Sequence, residues 1–526
     1  MSAAMGEKCS DLKATFDNLI LLPKSPKDIS TAVTCLIKGG CCSRCVLRFL
    51  GEKEPSTYRR SPQETFLLVQ NLLNASEIDK QNGHDDGETL KQPEAQISTP
   101  CTACLGVLAE YCEDDFLLQV KQKIESQDFQ FENFCSAISL PVPFLVREHS
   151  IMVLLRETLP LVYLPVLPEH ITPLKDVWKW ISGHRLAEML GKSFEQKSPF
   201  EIAIFFTHPE VEKECNFLLD LFPEVYRKRK TNKHGWELFT RMSVAKSLNS
   251  LRDVTFKKNS QCPPKPVSVP CTCEAVRGTH TAIFLAGRYN KFSRHLSQTP
   301  WVIEGERKME SSVQELIGTL IQEKIKADDV IFSASGREDV DVRMLGRGRP
   351  FVLEVVNPHA RAFTQDDLAA WQEDINKKTK DIAIRDLQLV SREETNKLKE
   401  GEMEKVKSYC ALCWSHQPFT SKHQEKIAAV KDLKLFQKTP IRVLHRRALA
   451  VRERVIHSMS SEKVDDCHFK LYLSTQAGTY IKEFVHGDFG RTTPNLTTLL
   501  EMECDILELD VEAVELDWPP NLGDPT

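Results

Sequence analysis

Residues 333–359 read SASGREDVDVRMLGRGRPFVLEVVNPH. Acidic Glu338, Asp339 and Asp341 crowd together with basic Arg337, Arg343, Arg347 and Arg349, and the chain then runs into apolar PFVLEVV at 350–356. Such dense charge taken alone describes a solvated loop. Here it is bracketed by two strand-like runs, DVIFSA at 329–334 and PFVLEVV. Asp339 is therefore expected on a loop at a strand end, where scaffolds often carry reactive groups. A carboxylate in a water-poor pocket stays ionised only beside a cation.

Outward from this stretch, TAIFLAG (281–287), SYCALCW (408–414) and HFKLYLS (468–474) read as further strands separated by charged helical segments. Upstream, QCPPKPVSVPC at 261–271 carries four prolines and cannot continue a helix or a central strand. This predicts an accessory unit over residues 1–285 and a second unit over 286–526. In the first, Ser25-Pro26-Lys27-Asp28 has the pattern of a helix start, and Gly39-Gly40 that of its stop. Polar, turn-rich residues from about 74 to 100 read as a flexible insertion. VPFLV (142–146), SIMVLLRE (150–157) and FEIAIFFTH (200–208) read as strands alternating with charged helices, an α+β arrangement.

At 526 residues, 41% apolar and 27% charged, the chain is an ordinary globular one with room for more than one core. A net charge of −5 gives no overall attraction to a polyanion, so nucleic-acid binding must rest on local patches. Residues 1–16 lack the apolar core of a signal peptide, and no run reaches the length of a membrane span. The expectation is an intracellular protein without a membrane partner. In that setting its 17 cysteines are thiols or metal ligands rather than disulfides.

Two pairs stand out, Cys42-x-x-Cys45 and Cys101-x-x-Cys104, each able to offer two thiolates to one tetrahedral zinc. The 55 residues between them are accommodated by the insertion, since loop closure costs rise slowly with length. Four thiolates leave no open position, so the ion would be structural. Cys41 is the chief rival ligand.

Three basic segments interleave aromatic or apolar residues, a composition suited to phosphate contact with base stacking. One is YRKRKTNKHGW at 226–236. Another, FQKTPIRVLHRRALAVRER at 436–454, holds Arg442, His445, Arg446 and Arg447 and sets six Lys/Arg against the single Glu453. The third, GRYNKFSRHLSQTPW at 287–301, holds Arg288, Lys291 and Arg294.

GREDVD (336–341), KSY (407–409) and GTYIKEFVHGDFG (478–490) resemble the three motifs of pseudouridine synthases. The longer strings GRYNKFSRHLSQTPW, GREDVDVRMLGRGRPF, QKTPIRVLHRR and YIKEFVHGDFGRTTPN, in that order, resemble the archaeal and eukaryotic pseudouridine synthase ten family. That resemblance implies a C-terminal catalytic domain with a mixed, mainly antiparallel sheet flanked by helices. It also implies an N-terminal zinc-containing domain resembling a THUMP-type RNA-binding module. It makes Asp339 the catalytic nucleophile or base, Lys482 its salt-bridge partner and Tyr409 the base-stacking ring. Ile481 and Leu509 become apolar pocket walls, with Leu507 a neighbouring choice. Substrate contacts are expected from Arg337, Arg288, Lys291, Arg442, His445, Arg446 and Arg447. Asp341 remains a rival acid. Glu338 stands where the bacterial branch has threonine, and Arg347 where this branch often has a small polar residue.

The implied activity is isomerisation of the two adjacent uridines of the tRNA TΨC loop, with structural zinc and no organic cofactor, by a monomer. Nucleus and cytoplasm, with the mitochondrion as a further candidate, are the expected compartments. The competing reading is an RNA-binding scaffold, for example for microRNA precursors, that uses the fold without turnover. A methyltransferase or thiolase is disfavoured, since GRGRPF lacks a third glycine and leads into a strand.

Overall fold

The computed structural model describes residues 21–74, 99–226, 238–398, 406–445 and 447–523. The chain forms two compact units, Met1–Thr279 and His280–Thr526. The expected insertion lies almost wholly outside the described residues, as do Arg446 and residues 227–236 of the first basic segment.

In the first unit the helix Pro26–Lys38 starts where Ser25 Oγ accepts the Asp28 N–H at 3.1 Å, and stops at Gly39. Ile29, Ala32, Val33 and Leu36 make its buried stripe at helical spacing. A four-stranded sheet contains β1 (Asn133–Ser139), β2 (Ser193–Phe194), β3 (Phe200–Thr207) and β4 (Thr272–His280) in the order β2-β1-β3-β4. FEIAIFFTH is β3, as read from its alternation. VPFLV and SIMVLLRE are not strands: most of both belongs to one helix, Phe144–Thr158. Phe144, Val146, Ile151, Met152, Val153 and Leu155 are all buried, so the helix shows little polar face. Its apolar runs are then indistinguishable from buried strands by periodicity. The unit also ends earlier than residue 285, because β4, after the proline-rich segment, joins the first sheet before the chain divides at Thr279.

The second unit contains β5 (Ile283–Lys291), a short ribbon of β6 (Val302–Ile303) and β7 (Glu306–Arg307), β8 (Ala327–Ala334), β9 (Arg343–Pro358), β10 (Ile382–Val390), β11 (Lys407–Ser415), β12 (Lys431–Lys438), β13 (Val451–Lys463), β14 (His468–Thr475), β15 (Thr492–Thr493) and β16 (Cys504–Val514). The large sheet runs β10-β5-β9-β16-β11-β14-β13-β12-β15, with β8 on β9. Its pairs are antiparallel except β9 with β16, which is the expected mixed and mainly antiparallel sheet. Ile317, Ile321 and Ile325 of the helix Val313–Ile325 share one core with Phe351, Leu353 and Val355 of β9. Among the described residues no helix is long and apolar enough to cross a membrane.

β9 is the strand that organises the unit, because three strands pair with it. Arg343 and Met344 pair with Asp510 and Val511 of β16, Phe351 to Pro358 pair with β8, and β5 pairs with it from Met344 to Val355. Gly346 (φ +57°) and Gly348 (φ +78°) lie between these stretches in the left-handed region. A Cβ on Gly346 would lie 2.1 Å from the Glu512 carbonyl oxygen, and one on Gly348 2.6 Å from that of Tyr289. Backbone approach this close admits only glycine. Gly346→Ala is therefore expected to cost about 2 kcal/mol or more, read as a lower urea or thermal midpoint of the full chain. An unchanged midpoint would show that β9 and β16 can separate without loss.

Candidate active site

Residues 335–342 link β8 to β9 and hold the acidic cluster. Beneath them Glu338 is sealed, with its side chain 0% exposed. Its Oε1 accepts from the Tyr289 hydroxyl at 2.7 Å, and its Oε2 from Arg349 Nε at 2.7 Å. Arg349 Nη1 continues to the Ser335 carbonyl at 2.7 Å. Gln298 Nε2 donates to the Tyr289 oxygen at 2.8 Å and to the Gly336 carbonyl at 3.0 Å. Burial, with the Glu338 carboxylate beside it, pushes the Tyr289 phenol well above its usual range, so it remains a donor.

Lys291 Nζ meets the carbonyls of Leu296 (2.9 Å), Asp339 (3.2 Å) and Val340 (2.7 Å). Burial brings it down to about 8. Arg288 spends its donors on the carbonyls of Gly348 (2.9 Å), Leu516 (2.8 Å) and Trp518 (2.9 Å). At 1% and 0% exposed, Arg288 and Lys291 are main-chain anchors, not the substrate contacts their basic setting suggested. Arg294 likewise bonds the Asp341 and Leu509 carbonyls, each at 2.9 Å.

Asp339 presents its carboxylate on this fixed loop, 32% exposed. Arg442 Nη1 lies 2.6 Å from Asp339 Oδ2. Lys482, the expected partner, stands 3.8 Å from Asp339 and makes its short contacts, 2.9 and 2.7 Å, to Asp341. Burial works to raise Asp341, yet the Lys482 ammonium bonded to it holds its carboxyl below the usual range. Both acids therefore share Lys482, while Asp339 alone has Arg442 at hydrogen-bond distance.

Lys482 rides on the helix Ile481–His486. Gln437 of β12 positions that helix, accepting the Tyr480 N–H and donating to the Tyr480 carbonyl, each at 2.9 Å. Ile481 is 3% exposed. Tyr409 of β11 opposes Val511 of β16, and Ala411 opposes Leu509, so Tyr409 and Leu509 share a sheet face. Leu509 is 7% exposed, whereas Leu507 is 54% exposed at a register shift, which separates the two leucines. Burial pushes the Tyr409 phenol up, and Arg349 and Glu338 are within its electrostatic reach. Arg337, His445 and Arg447 are exposed.

Sequence reading missed Glu338, Tyr289 and Arg349 as the support of the loop, and Glu483 behind Arg442. Glu483 had one signal, its place directly after Lys482 in YIKEF.

In the first unit Cys42, Cys45, Cys101 and Cys104 converge, their sulfurs all within 4.8 Å of one another. Cys42 Sγ and Cys104 Sγ are 3.8 Å apart, close to the edge of about 3.8 Å that a tetrahedral ion with zinc–sulfur bonds requires. The Cys42 N–H donates to Cys101 Sγ at 3.2 Å, as it would to a thiolate. Thr102 brings the second pair to the first through Oγ1 to the Gly39 carbonyl at 2.6 Å and N–H to the Gly40 carbonyl at 3.0 Å. Cys41 is outside this group. The donor set and its spacing fit a closed metal site.

Tyr226, which opens one basic segment, is 4% exposed and bonded to Ser247 Oγ at 2.9 Å, so it is a core residue rather than a stacking surface.

A family model described as "Pus10, C-terminal" matches residues 284–515, and one described as "Eukaryotic Pus10, N-terminal" matches residues 101–278. The Homo sapiens protein named tRNA pseudouridine synthase Pus10 is 44% identical over 518 residues, spanning 93% of this chain and 97% of its own. The putative tRNA pseudouridine synthase Pus10 of Drosophila melanogaster is 34% identical, spanning 91% and 95%. The Pyrococcus furiosus protein is 33% identical, spanning 61% and 82%. Among solved structures, a Cbf5-Nop10-Gar1 complex aligns over 43% of this chain and 47% of that one, at 14% identity and a TM-score of 0.25. Both halves are matched in order and a relative is matched along nearly its whole length: the chain belongs to the Pus10 family.

Proposed function

We propose that this protein is a tRNA pseudouridine synthase, an isomerase that converts uridine to pseudouridine with Asp339 as its carboxylate. The observation that carries this is Asp339 on a loop pinned from below, with Arg442 at 2.6 Å, in a chain 44% identical to a tRNA pseudouridine synthase. The reaction breaks the bond from the sugar C1′ to N1 of uracil and forms one from C1′ to C5. The proton at C5 leaves, and N1 gains one. Substrate and product are isomers, so no electrons are exchanged with a cofactor.

The base must leave its stack to be turned, and Tyr409, with Ile481 and Leu509, offers it an aromatic face and apolar walls. Asp339 either attacks C1′ or removes a sugar proton, and both routes begin with an ionised carboxylate. Arg337, His445 and Arg447 are exposed and basic, as phosphate contacts would be. The motif strings support the adjacent uridines of the TΨC loop as targets. No observation favours a binding-only scaffold, since acid, cations and aromatic ring are all retained.

The four-cysteine cluster would hold a structural zinc, which neutralises thiolates and ties the Cys42–Cys45 turn to the Cys101–Cys104 turn.

Purified protein without added cofactor is expected to place pseudouridine in the TΨC loop of an unmodified tRNA transcript, while Asp339→Ala binds the transcript and yields none. Product from Asp339→Ala at a rate within about tenfold of wild type would remove Asp339 from the chemistry. Elemental analysis is expected to find one zinc per chain, and Cys104→Ser to lower both metal content and melting temperature. Metal-free protein whose melting is indifferent to chelator and to added zinc would exclude the site.

A further inference from the structure

Arg442 was expected to touch substrate, yet its guanidinium is occupied on two edges by acids. Nε donates to Glu483 Oε1 at 2.7 Å, and Nη1 to Asp339 Oδ2 at 2.6 Å. Glu483 is 2% exposed, out of reach of a docked RNA. A carboxylate that deeply buried is costly unless paired, and Arg442 is the cation paired with it. The guanidinium is a rigid planar fork, so fixing one edge aims the other. Glu483 thus sets the direction in which Arg442 meets Asp339.

The turn Ile441–Val443 that carries Arg442 is itself braced. The Ile441 N–H donates to Asp488 Oδ2 at 3.3 Å, and Arg491 Nη2 to the Thr439 carbonyl at 2.6 Å. Helix Ile481–His486 and the residues after it therefore fix both Lys482 and the turn that holds Arg442. Lys482 remains 3.8 Å from Asp339, beyond hydrogen-bond length, and is engaged with Asp341 at 2.7 Å.

We propose that Arg442, aimed by Glu483, is the positioning residue that holds the Asp339 carboxylate in its reactive orientation, with Lys482 a shared, more distant cation. The inference rests on the assignment of Asp339 as the reacting carboxylate. Charged groups facing Asp339 include Arg442, Lys482, Asp341, Lys291 below the loop and Glu483 behind Arg442. Removing Arg442 takes away the 2.6 Å contact that fixes the direction of the carboxylate.

The test is single-turnover kinetics and RNA affinity of the full-length protein on an unmodified tRNA transcript, for Arg442→Gln, Arg442→Lys, Glu483→Gln, the Arg442→Gln/Glu483→Gln double variant and Asp339→Ala. Melting curves accompany each variant. Arg442→Gln is expected to lower the saturating rate by about a hundredfold while leaving RNA affinity nearly unchanged. Arg442→Lys restores part of the rate. Glu483→Gln lowers the rate in the same direction, and the double variant is no slower than Arg442→Gln, because both act through one contact. Weakened RNA binding by Arg442→Gln, with the saturating rate unchanged, would make Arg442 a phosphate contact and overturn the inference alone. An active Asp339→Ala would overturn the assignment of the acid, and this inference with it.

Discussion

Glu338 and Arg349, 2.7 Å apart with side chains 0% and 2% exposed, form the contact on which the loop that carries Asp339 depends. A buried ion pair adds little over a well-packed apolar pair, but loss of one partner leaves the other charge stranded, at about 3 kcal/mol or more. The pair is thus better suited to specifying a geometry than to stabilising a fold. It draws on three adjacent strands: Tyr289 from β5, Arg349 from β9, and Ser335 just after β8. One carboxylate sets where the loop leaves the sheet, and Asp339 is the next residue along. The glycines of β9 stand just before Arg349 and admit the close approach of the Glu512 and Tyr289 carbonyls on either neighbouring strand.

Asp339, Tyr409 and Lys482 could be singled out in the sequence because each lies in a short string that resembles a family motif, and the structure brings Lys482 to 3.8 Å from Asp339. The partner at hydrogen-bond distance from Asp339 could not, because Arg442 is 103 positions away and the pairing exists only after β12 is laid in the sheet. Within GRYNKFSRHLSQTPW, composition could not separate a basic surface from basic anchors. β5 is buried on both faces along most of its length, so Arg288 and Lys291 point into the protein and satisfy backbone carbonyls. Glu338 looked like one more charge in a solvated loop, and only the sheet order, with β5 beside β9, shows that it faces Tyr289 and Arg349. The same limit produced the misread helix Phe144–Thr158: with apolar residues buried around most of it, neither a period of two nor of 3.6 stands out. By contrast, Ser25 and Gly39 marked the ends of Pro26–Lys38 correctly, since capping is decided by neighbours in the chain.

Among the described residues, Asp339, Asp341 and Glu483 face Arg442 and Lys482, with Lys291 below. A cluster so balanced exerts little long-range pull on a polyanion. Lys438, His445 and Arg447 are exposed on the β12–β13 hairpin, and Arg442 lies in that hairpin's connection. The exposed cations and Arg442 therefore share one hairpin but stand in different surroundings. The turn that carries Arg442 is tied through Asp488 and Arg491 to the segment following the Lys482 helix, and its contacts are set by buried Glu483, as those of the helix start are set by Gln437, rather than by solvent-exposed side chains.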